Sequence, residues 1–218
     1  MPRQMIKPDW DKSKERFNAW WHGQAADRVL LQAIAPLKTA SNDFPKPIPP
    51  ESIEECWLDT DYRIAVVEHR MSQTCYGGDA FPYVDTLLGP GSLSLFLGSE
   101  PTFQEDTVWY GKCVDNISAA QIPTYDETNR YWQTTLEMIH KGLQRLSGRA
   151  LVAFPDLVEG LDTLSSLVGN DELLLYLLDA PQHVHRFQRS LVDLYFAHYD
   201  RLYEIIKDEN GGSCFSAF

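Results

Sequence analysis

The sequence predicts an α/β fold built on a parallel sheet. Residues 28–35 and 150–154 are near-continuous apolar runs, which is the composition of strands buried on both faces. Strand-like segments at 75–79 and 107–114 lie between helical patterns, so strands and helices alternate along the chain. That alternation is typical of a parallel sheet with helices packed outside it. We therefore treat residues 1–218 as a single domain.

Helical periodicity accounts for most of the remaining chain. Apolar residues recur every three or four positions and predict helices at 9–21, 53–75, 91–97, 125–146, 161–168, 171–178 and from Pro181 to just before Asn210. Residues 36–50 are rich in proline and have no periodicity, so they are predicted to form a long loop. The last residues, 213–218, have the composition of a further strand.

The other predictions are organised around the stretch 76–103. It contains Gly77 and Gly78, then Asp79, and then a second glycine cluster at 89–91. Two adjacent glycines allow a positive φ or the close approach of another group, so Asp79 is predicted to project from a tight turn as a functional carboxylate. The alternative is that Asp79 caps a turn or a helix, as Asp residues in loops often do.

Two more carboxylates follow the predicted strand at 150–154, namely Asp156 and Glu159. In a (β/α) barrel the carboxyl ends of the strands carry the active site, so both residues are candidate ligand-binding groups. Capping of a helix N-terminus is the competing explanation for them, because a carboxylate is also stabilised there.

Composition excludes several classes of partner. The chain has 19 Lys and Arg residues against 31 Asp and Glu residues, for a net charge of -12. No basic patch is visible, so we expect neither a nucleic-acid partner nor docking on an anionic membrane surface. The N-terminus is too polar for a signal peptide, and no run of about 18 apolar residues predicts a transmembrane helix. The cytoplasm is the expected compartment.

The pattern of cysteine and histidine residues predicts no metal in this chain. Cys56, Cys75, Cys113 and Cys214 are widely spaced, without the C-x-x-C spacing of zinc or redox motifs. The pair His183 and His185 falls in a predicted helix, where residues two apart point to different sides. We therefore expect the chain to bind no stoichiometric zinc.

Two segments together resemble the uroporphyrinogen decarboxylase superfamily. They are CYGGDAFPYVDTLLGPGSLSLFLGSEPTF at 75–103 and FPDLVEGLDTLSSLVGNDELLLYLLDAPQHVHRFQRSLVDLY at 154–195. The resemblance covers nearly the whole chain and implies a (β/α)8 TIM-barrel type fold, of which this chain is the N-terminal portion only. Because four or five strands leave such a barrel incomplete, we expect the chain alone to be inactive and to self-associate.

One branch of that superfamily decarboxylates porphyrinogens without a cofactor. The resemblance implies that Asp79 is the carboxylate that accepts hydrogen bonds from pyrrole N–H groups, and that Gly77, Gly78 and Phe81 contact the substrate. We would then expect Asp79→Asn to reduce turnover and leave the melting temperature within a few degrees. Arginines that grip substrate carboxylates in that branch are absent at the corresponding place, residues 33–38.

The other branch transfers methyl groups between corrinoid proteins and thiols and uses zinc to activate the thiol. The missing arginines favour this methyltransferase-like branch for the full-length form, in which zinc and a corrinoid would be the cofactors. Decarboxylation of a related porphyrinogen is the first alternative. A non-catalytic domain that holds a corrinoid or another ligand is the second, and in every case the expected partner is a small-molecule tetrapyrrole or corrinoid ligand.

Overall fold

The structure is a computed structural model and describes residues 7–24, 27–39, 44–158, 160–207 and 212–215. Within these ranges the chain forms helices and short strands in mixed order. The helices are α1 (Trp10–Trp21), α2 (Ile53–Leu58), α3 (Thr60–Gln73), α4 (Leu93–Phe96), α5 (Arg130–Leu146), α6 (Gly160–Val168), α7 (Asn170–Asp179) and α8 (Pro181–Ile206). The strands are β1 (Gln32–Pro36), β2 (Thr74–Gly78), β3 (Tyr83–Val84), β4 (Glu100–Phe103), β5 (Val108–Gly111), β6 (Leu151–Phe154) and β7 (Cys214–Phe215).

Three strands form a small parallel sheet in the order β3-β6-β7. Tyr83 lies opposite Leu151 in the first pair, and Ala153 lies opposite Cys214 in the second. The predicted strand at 150–154 is therefore confirmed as β6, in parallel pairing, and the predicted strand character of the last residues is confirmed at 214–215. The remainder of that last segment, 216–218, lies outside the described residues.

The prediction of a (β/α)8 barrel, complete or partial, is wrong for the described residues. The predicted strands at 28–35 and 75–79 correspond to β1 and β2, which pair with each other in antiparallel register, with Gln32 opposite Gly78. All five residues of β1 are exposed, so this apolar run is not the doubly buried strand that its composition predicted. A run of apolar residues indicates an extended segment but does not determine how many faces are covered.

The predicted strand at 107–114 is one arm of a hairpin. It corresponds to β5, which pairs in antiparallel register with β4, a strand that the sequence analysis did not predict. The two strands are joined by residues 104–107, and the Gln104 N–H donates to the Thr107 carbonyl oxygen at 2.9 Å. A connection this short cannot make the crossover of a dozen or more residues that parallel pairing requires.

Most helix predictions are confirmed, and their ends are set by capping side chains. The predicted helix at 53–75 is divided into α2 and α3 because Asp59 accepts hydrogen bonds from the N–H groups of Asp61 and Tyr62. In the same way Asn129 caps α5, which begins five residues later than residue 125 because of that cap. No described helix has both the length and the apolar character needed to cross a membrane.

The hydrophobic core lies between the parallel sheet and helices α3, α5, α6 and α8. Its largest fully buried side chains include Trp132 of α5, Phe154 of β6 and Phe187 of α8. Gly142 of α5 lies against the β-branched side chains of Val84 and Val152, so a Cβ there would come within 3.1 Å of Val152. This close approach seats α5 directly on β3 and β6.

Candidate functional site

Asp79 directly follows β2, and its side chain is completely buried. Two arginines from separate segments of the chain bind it. Arg16 of α1 donates from Nη1 to Oδ1 at 3.2 Å, while Arg28 donates from Nη1 to Oδ2 and from Nη2 to Oδ1 at 2.9 Å. The backbone N–H of Leu31 donates to Oδ2 at 3.1 Å. Both carboxylate oxygens therefore have partners within the chain.

The electrostatics of this cluster keep Asp79 ionised. Burial alone raises the pKa of the carboxyl group, but hydrogen bonds from Arg28, the Leu31 N–H and Arg16 outweigh it and lower the pKa to about 2. Arg16 also binds Asp27, with its Nε 2.7 Å from Oδ1. Two guanidinium groups are thus balanced by two carboxylates, and the cluster carries no net charge.

The backbone around Asp79 is equally tightly held. Gly78 has a φ of +63°, and a Cβ at this position would collide with the carbonyl oxygen of Leu31. Lys7 donates from Nζ to the Gly78 carbonyl oxygen at 2.7 Å. Glycine is therefore required at position 78 by both the left-handed backbone and the close approach of residue 31.

Phe81 completes this cluster with aromatic contacts. Its ring lies 5.1 Å from that of Trp10 and 5.6 Å from that of Phe17, both on α1. Gly77, which pairs with Ala33 across the β1–β2 ladder, has only ordinary contact with Ala33. Together these contacts fasten α1 and the segment before β1 to the end of β2. The geometry is that of a structural clamp, which we call the Asp79 clamp (Arg16, Arg28 and Asp79).

The two arginines of the Asp79 clamp were not predicted from the sequence. Arg16 and Arg28 lie 63 and 51 residues from Asp79 along the chain. The family resemblance placed paired arginines at 33–38, where the sequence has none. No local signal marks Arg16, whereas Arg28 follows Asp27 immediately before an apolar run.

A second place has the geometry expected of a ligand site, namely the carboxyl edge of the parallel sheet. Asp85 follows β3 and Asp156 follows β6, and these strands are adjacent and parallel. Each carboxylate accepts a hydrogen bond from the backbone N–H two residues later, at 2.8 Å from Leu87 and 3.2 Å from Val158. Ligands of parallel sheets bind at this edge.

Asp156 lies in the wall of a cleft of about 260 Å³ at this edge. Asp162 of α6 and Tyr195 of α8 line the same cleft, together with Phe215 of β7. Phe215 is half exposed and stacks on Phe154 with ring centroids 5.1 Å apart. The cleft therefore combines two carboxylates with aromatic surface, and no Lys or Arg is among the described residues that line it.

The second glycine cluster supports this edge of the sheet and not the surroundings of Asp79. Gly89 has a φ of +88°, and a Cβ there would come within 2.6 Å of the Val108 side chain. The N–H of Ser92, just after the cluster, donates to the Asp156 carbonyl oxygen at 2.8 Å. Tyr110 donates its hydroxyl to the Leu88 carbonyl oxygen at 2.9 Å, and burial raises the pKa of that hydroxyl.

The predicted site residues are thus divided between two places. Asp79 belongs to the Asp79 clamp, with Gly77, Gly78 and Phe81 beside it, whereas Asp156 belongs to the cleft at the sheet edge. Glu159 lies outside the described residues. Asp85 and Asp162 were missed, although the position of Asp85 after the short apolar segment 82–84 could have indicated it.

Within the described ranges, no group of three or more His, Cys, Asp or Glu side chains lies close enough to hold a metal ion. Those residues therefore do not provide the ligand set of a zinc site.

No protein-family model, curated protein or solved structure matches the chain.

Proposed function

We propose that this chain is part of a methyltransferase-like enzyme of the uroporphyrinogen decarboxylase superfamily, and that it binds the methyl-accepting thiol. The observation that carries the proposal is the Asp156 cleft at the carboxyl edge of three parallel strands. Such edges are where α/β proteins bind small molecules. The role of Asp156 is to accept a hydrogen bond from the ligand and orient it.

The size of the cleft favours the thiol over a tetrapyrrole. At about 260 Å³ it lies below the roughly 300–1,000 Å³ that sites for drug-sized ligands occupy. A thiol of a few non-hydrogen atoms is matched to this volume, and a cyclic tetrapyrrole is not. The tight engagement of Asp79 also argues against decarboxylation, because a carboxylate bound by two arginines has little capacity left for pyrrole N–H groups.

The charge of the cleft selects among thiols. Among the described residues that line it, Asp156 and Asp162 are acidic and none is a Lys or Arg, and the whole chain carries a net charge of -12. A negatively charged thiol is therefore repelled, whereas a neutral or cationic thiol is accepted. The aromatic wall at Tyr195 and Phe215 supplies contact for the alkyl part of the ligand.

Calorimetric titration of the chain with cysteamine, a cationic thiol, tests this proposal. The anionic thiol 2-mercaptoethanesulfonate is the comparison ligand. We expect saturable binding of cysteamine and none of the sulfonate, and we expect Asp156→Asn to weaken cysteamine binding about tenfold. Asp193→Asn, on the exposed face of α8, is the matched control and should bind like the wild type. Equal binding by both variants would refute the role of Asp156.

Turnover is tested separately in the full-length form, by following cobalt–carbon bond loss from methylcobalamin in the presence of cysteamine. Thiol methylation that falls with Asp156→Asn supports the enzyme. Saturable thiol binding without any methylation identifies a binding domain instead and overturns the catalytic part of the proposal.

A further inference from the structure

A second and larger cleft lies between α5 and α8, away from the parallel-sheet edge. It has a volume of about 490 Å³, which is within the range of small-molecule sites. One wall is a stripe of α5 that includes Gln133 and His140, and the facing wall carries Arg201 of α8. Tyr125 supplies a partly exposed aromatic ring, and Trp132, which also borders the cleft, is completely buried. Neither the proposed thiol site nor the Asp79 clamp shares a residue with it.

The aromatic surface of this cleft is rigidly positioned. Trp132 is completely buried. Asn129 fixes the start of α5, because its Oδ1 accepts a hydrogen bond from the backbone N–H of Trp132 at 3.0 Å. The Tyr125 ring lies 6.0 Å from that of Trp132 at a steep angle of 73°. His198 lies behind both rings, with its centroid 4.6 Å from Tyr125 and 4.9 Å from Trp132.

Two buried polar atoms of this aromatic cluster have no hydrogen-bond partner among the described residues. They are Nε1 of Trp132 and Nε2 of His198. His198 must donate from Nδ1 to the Leu194 carbonyl oxygen at 2.7 Å, so its Nε2 is an acceptor in the neutral ring. The Trp132 N–H is near the Tyr125 hydroxyl without being aligned with it. Both atoms are closed to solvent, so a ligand in the cleft packs against Tyr125 in front of them and does not reach them.

Of the Lys and Arg side chains among the described residues that line this cleft, Arg201 is the one without an ion pair. Lys141 is held by Asp61 at 2.6 Å and by Glu137 at 2.9 Å. Arg201 is exposed and forms no ion pair with the part of the chain that the structure describes. Glu127 and Glu137 also line the cleft and supply negative charge. A single anionic group can therefore be paired with Arg201, but a multiply charged group cannot be neutralised here.

We propose that this cleft is a binding site for a planar aromatic monoanion, such as an aromatic carboxylate. The ring of the ligand packs against Tyr125 and the half-buried Leu136, and its carboxylate receives a bidentate hydrogen bond from Arg201. The site is independent of the proposed thiol site, because its residues lie on α5, α8 and the segment before α5.

Calorimetric titration with 1-naphthoate tests this site, and 1-naphthalenemethanol serves as the neutral analogue. We expect saturable binding of 1-naphthoate that is about tenfold weaker in Arg201→Gln, because a hydrogen bond to a charged group is removed. Glu127→Gln should bind 1-naphthoate more tightly than the wild type. The neutral analogue should bind the wild type and Arg201→Gln equally.

Arg189→Gln is the matched control, since Arg189 is an exposed arginine of the same helix that does not line the cleft. It should bind 1-naphthoate like the wild type. A shift of the Trp132 indole N–H signal in ¹⁵N-labelled protein on titration, assigned with Trp132→Phe, would place the ligand. Absence of saturable binding below millimolar concentration, or equal losses in Arg201→Gln and Arg189→Gln, overturns the proposal.

Discussion

The Asp79 clamp makes a strong prediction about stability. Asp79→Asn replaces one acceptor oxygen by an NH₂ group that cannot accept a hydrogen bond from either Arg16 or Arg28. Lowering the pKa of Asp79 from 3.8 to about 2 stabilises the folded state by about 2 kcal/mol of unfolding free energy, at 1.36 kcal/mol per pH unit. The Arg28 side chain is 38% exposed, so solvent screening reduces the expected loss to about 1–2 kcal/mol.

That loss corresponds to a melting temperature lower by about 2–8 °C for a chain of this size. This replaces the expectation from the family resemblance that Asp79→Asn would reduce turnover and leave the melting temperature within a few degrees. Urea denaturation at pH 7 gives the free energy of unfolding directly. Asp193→Asn is the matched control, because Asp193 is exposed on α8. Substitutions at such surface positions usually change the unfolding free energy by less than about 0.5 kcal/mol, and we expect the same of this variant.

The pH dependence gives an independent check with a definite sign. Because the pKa of Asp79 is lowered in the folded state, its contribution is fully present above about pH 4 and is lost as the pH falls towards 2. The difference in unfolding free energy between the wild type and Asp79→Asn should therefore shrink over that window. A variant with wild-type stability at pH 7, or a difference that stays constant down to pH 2, would refute the clamp.

Two further predictions concern glycine and cysteine positions. Gly78→Ala should destabilise the protein by at least about 2 kcal/mol more than Gly23→Ala in urea denaturation, since both have a positive φ but only the first collides with a backbone oxygen; equal losses would contradict this. At pH 8, iodoacetamide should modify the exposed Cys75 more than a hundredfold faster than Cys214, because burial raises the pKa of Cys214 to about 12. Similar labelling rates by mass spectrometry would show that Cys214 is not buried.

Local features predicted well are those that depend on neighbours within one or two turns. The apolar stripe of α8, with Val184, Phe187 and Leu191, predicted both that helix and its buried face. Gly169, with a φ of +98°, separates α6 from α7 where the sequence analysis divided them. Periodicity and capping act over a few residues, so the sequence carries them directly.

Candidate site residues were predicted in part for a similar reason. Asp156 was identified because it lies two residues after the apolar segment 150–154, and the structure places it at the carboxyl edge of a parallel strand. Asp79 was identified from its turn, but a turn does not reveal what the side chain contacts. Its partners Arg16 and Arg28 come from segments more than 50 residues away.

The sequence by itself determined where most helices and several extended segments lie in this protein, and it identified Asp79 and Asp156 as carboxylates that follow two of those segments. Only the tertiary structure decided that β1 pairs with β2 in antiparallel register, whereas β3, β6 and β7 run parallel. Strand partners are chosen by ladder hydrogen bonds and side-chain packing between distant segments, and a strand's own composition contains neither. The same long-range contacts bury Asp79 between two arginines and leave Asp156 lining a cleft.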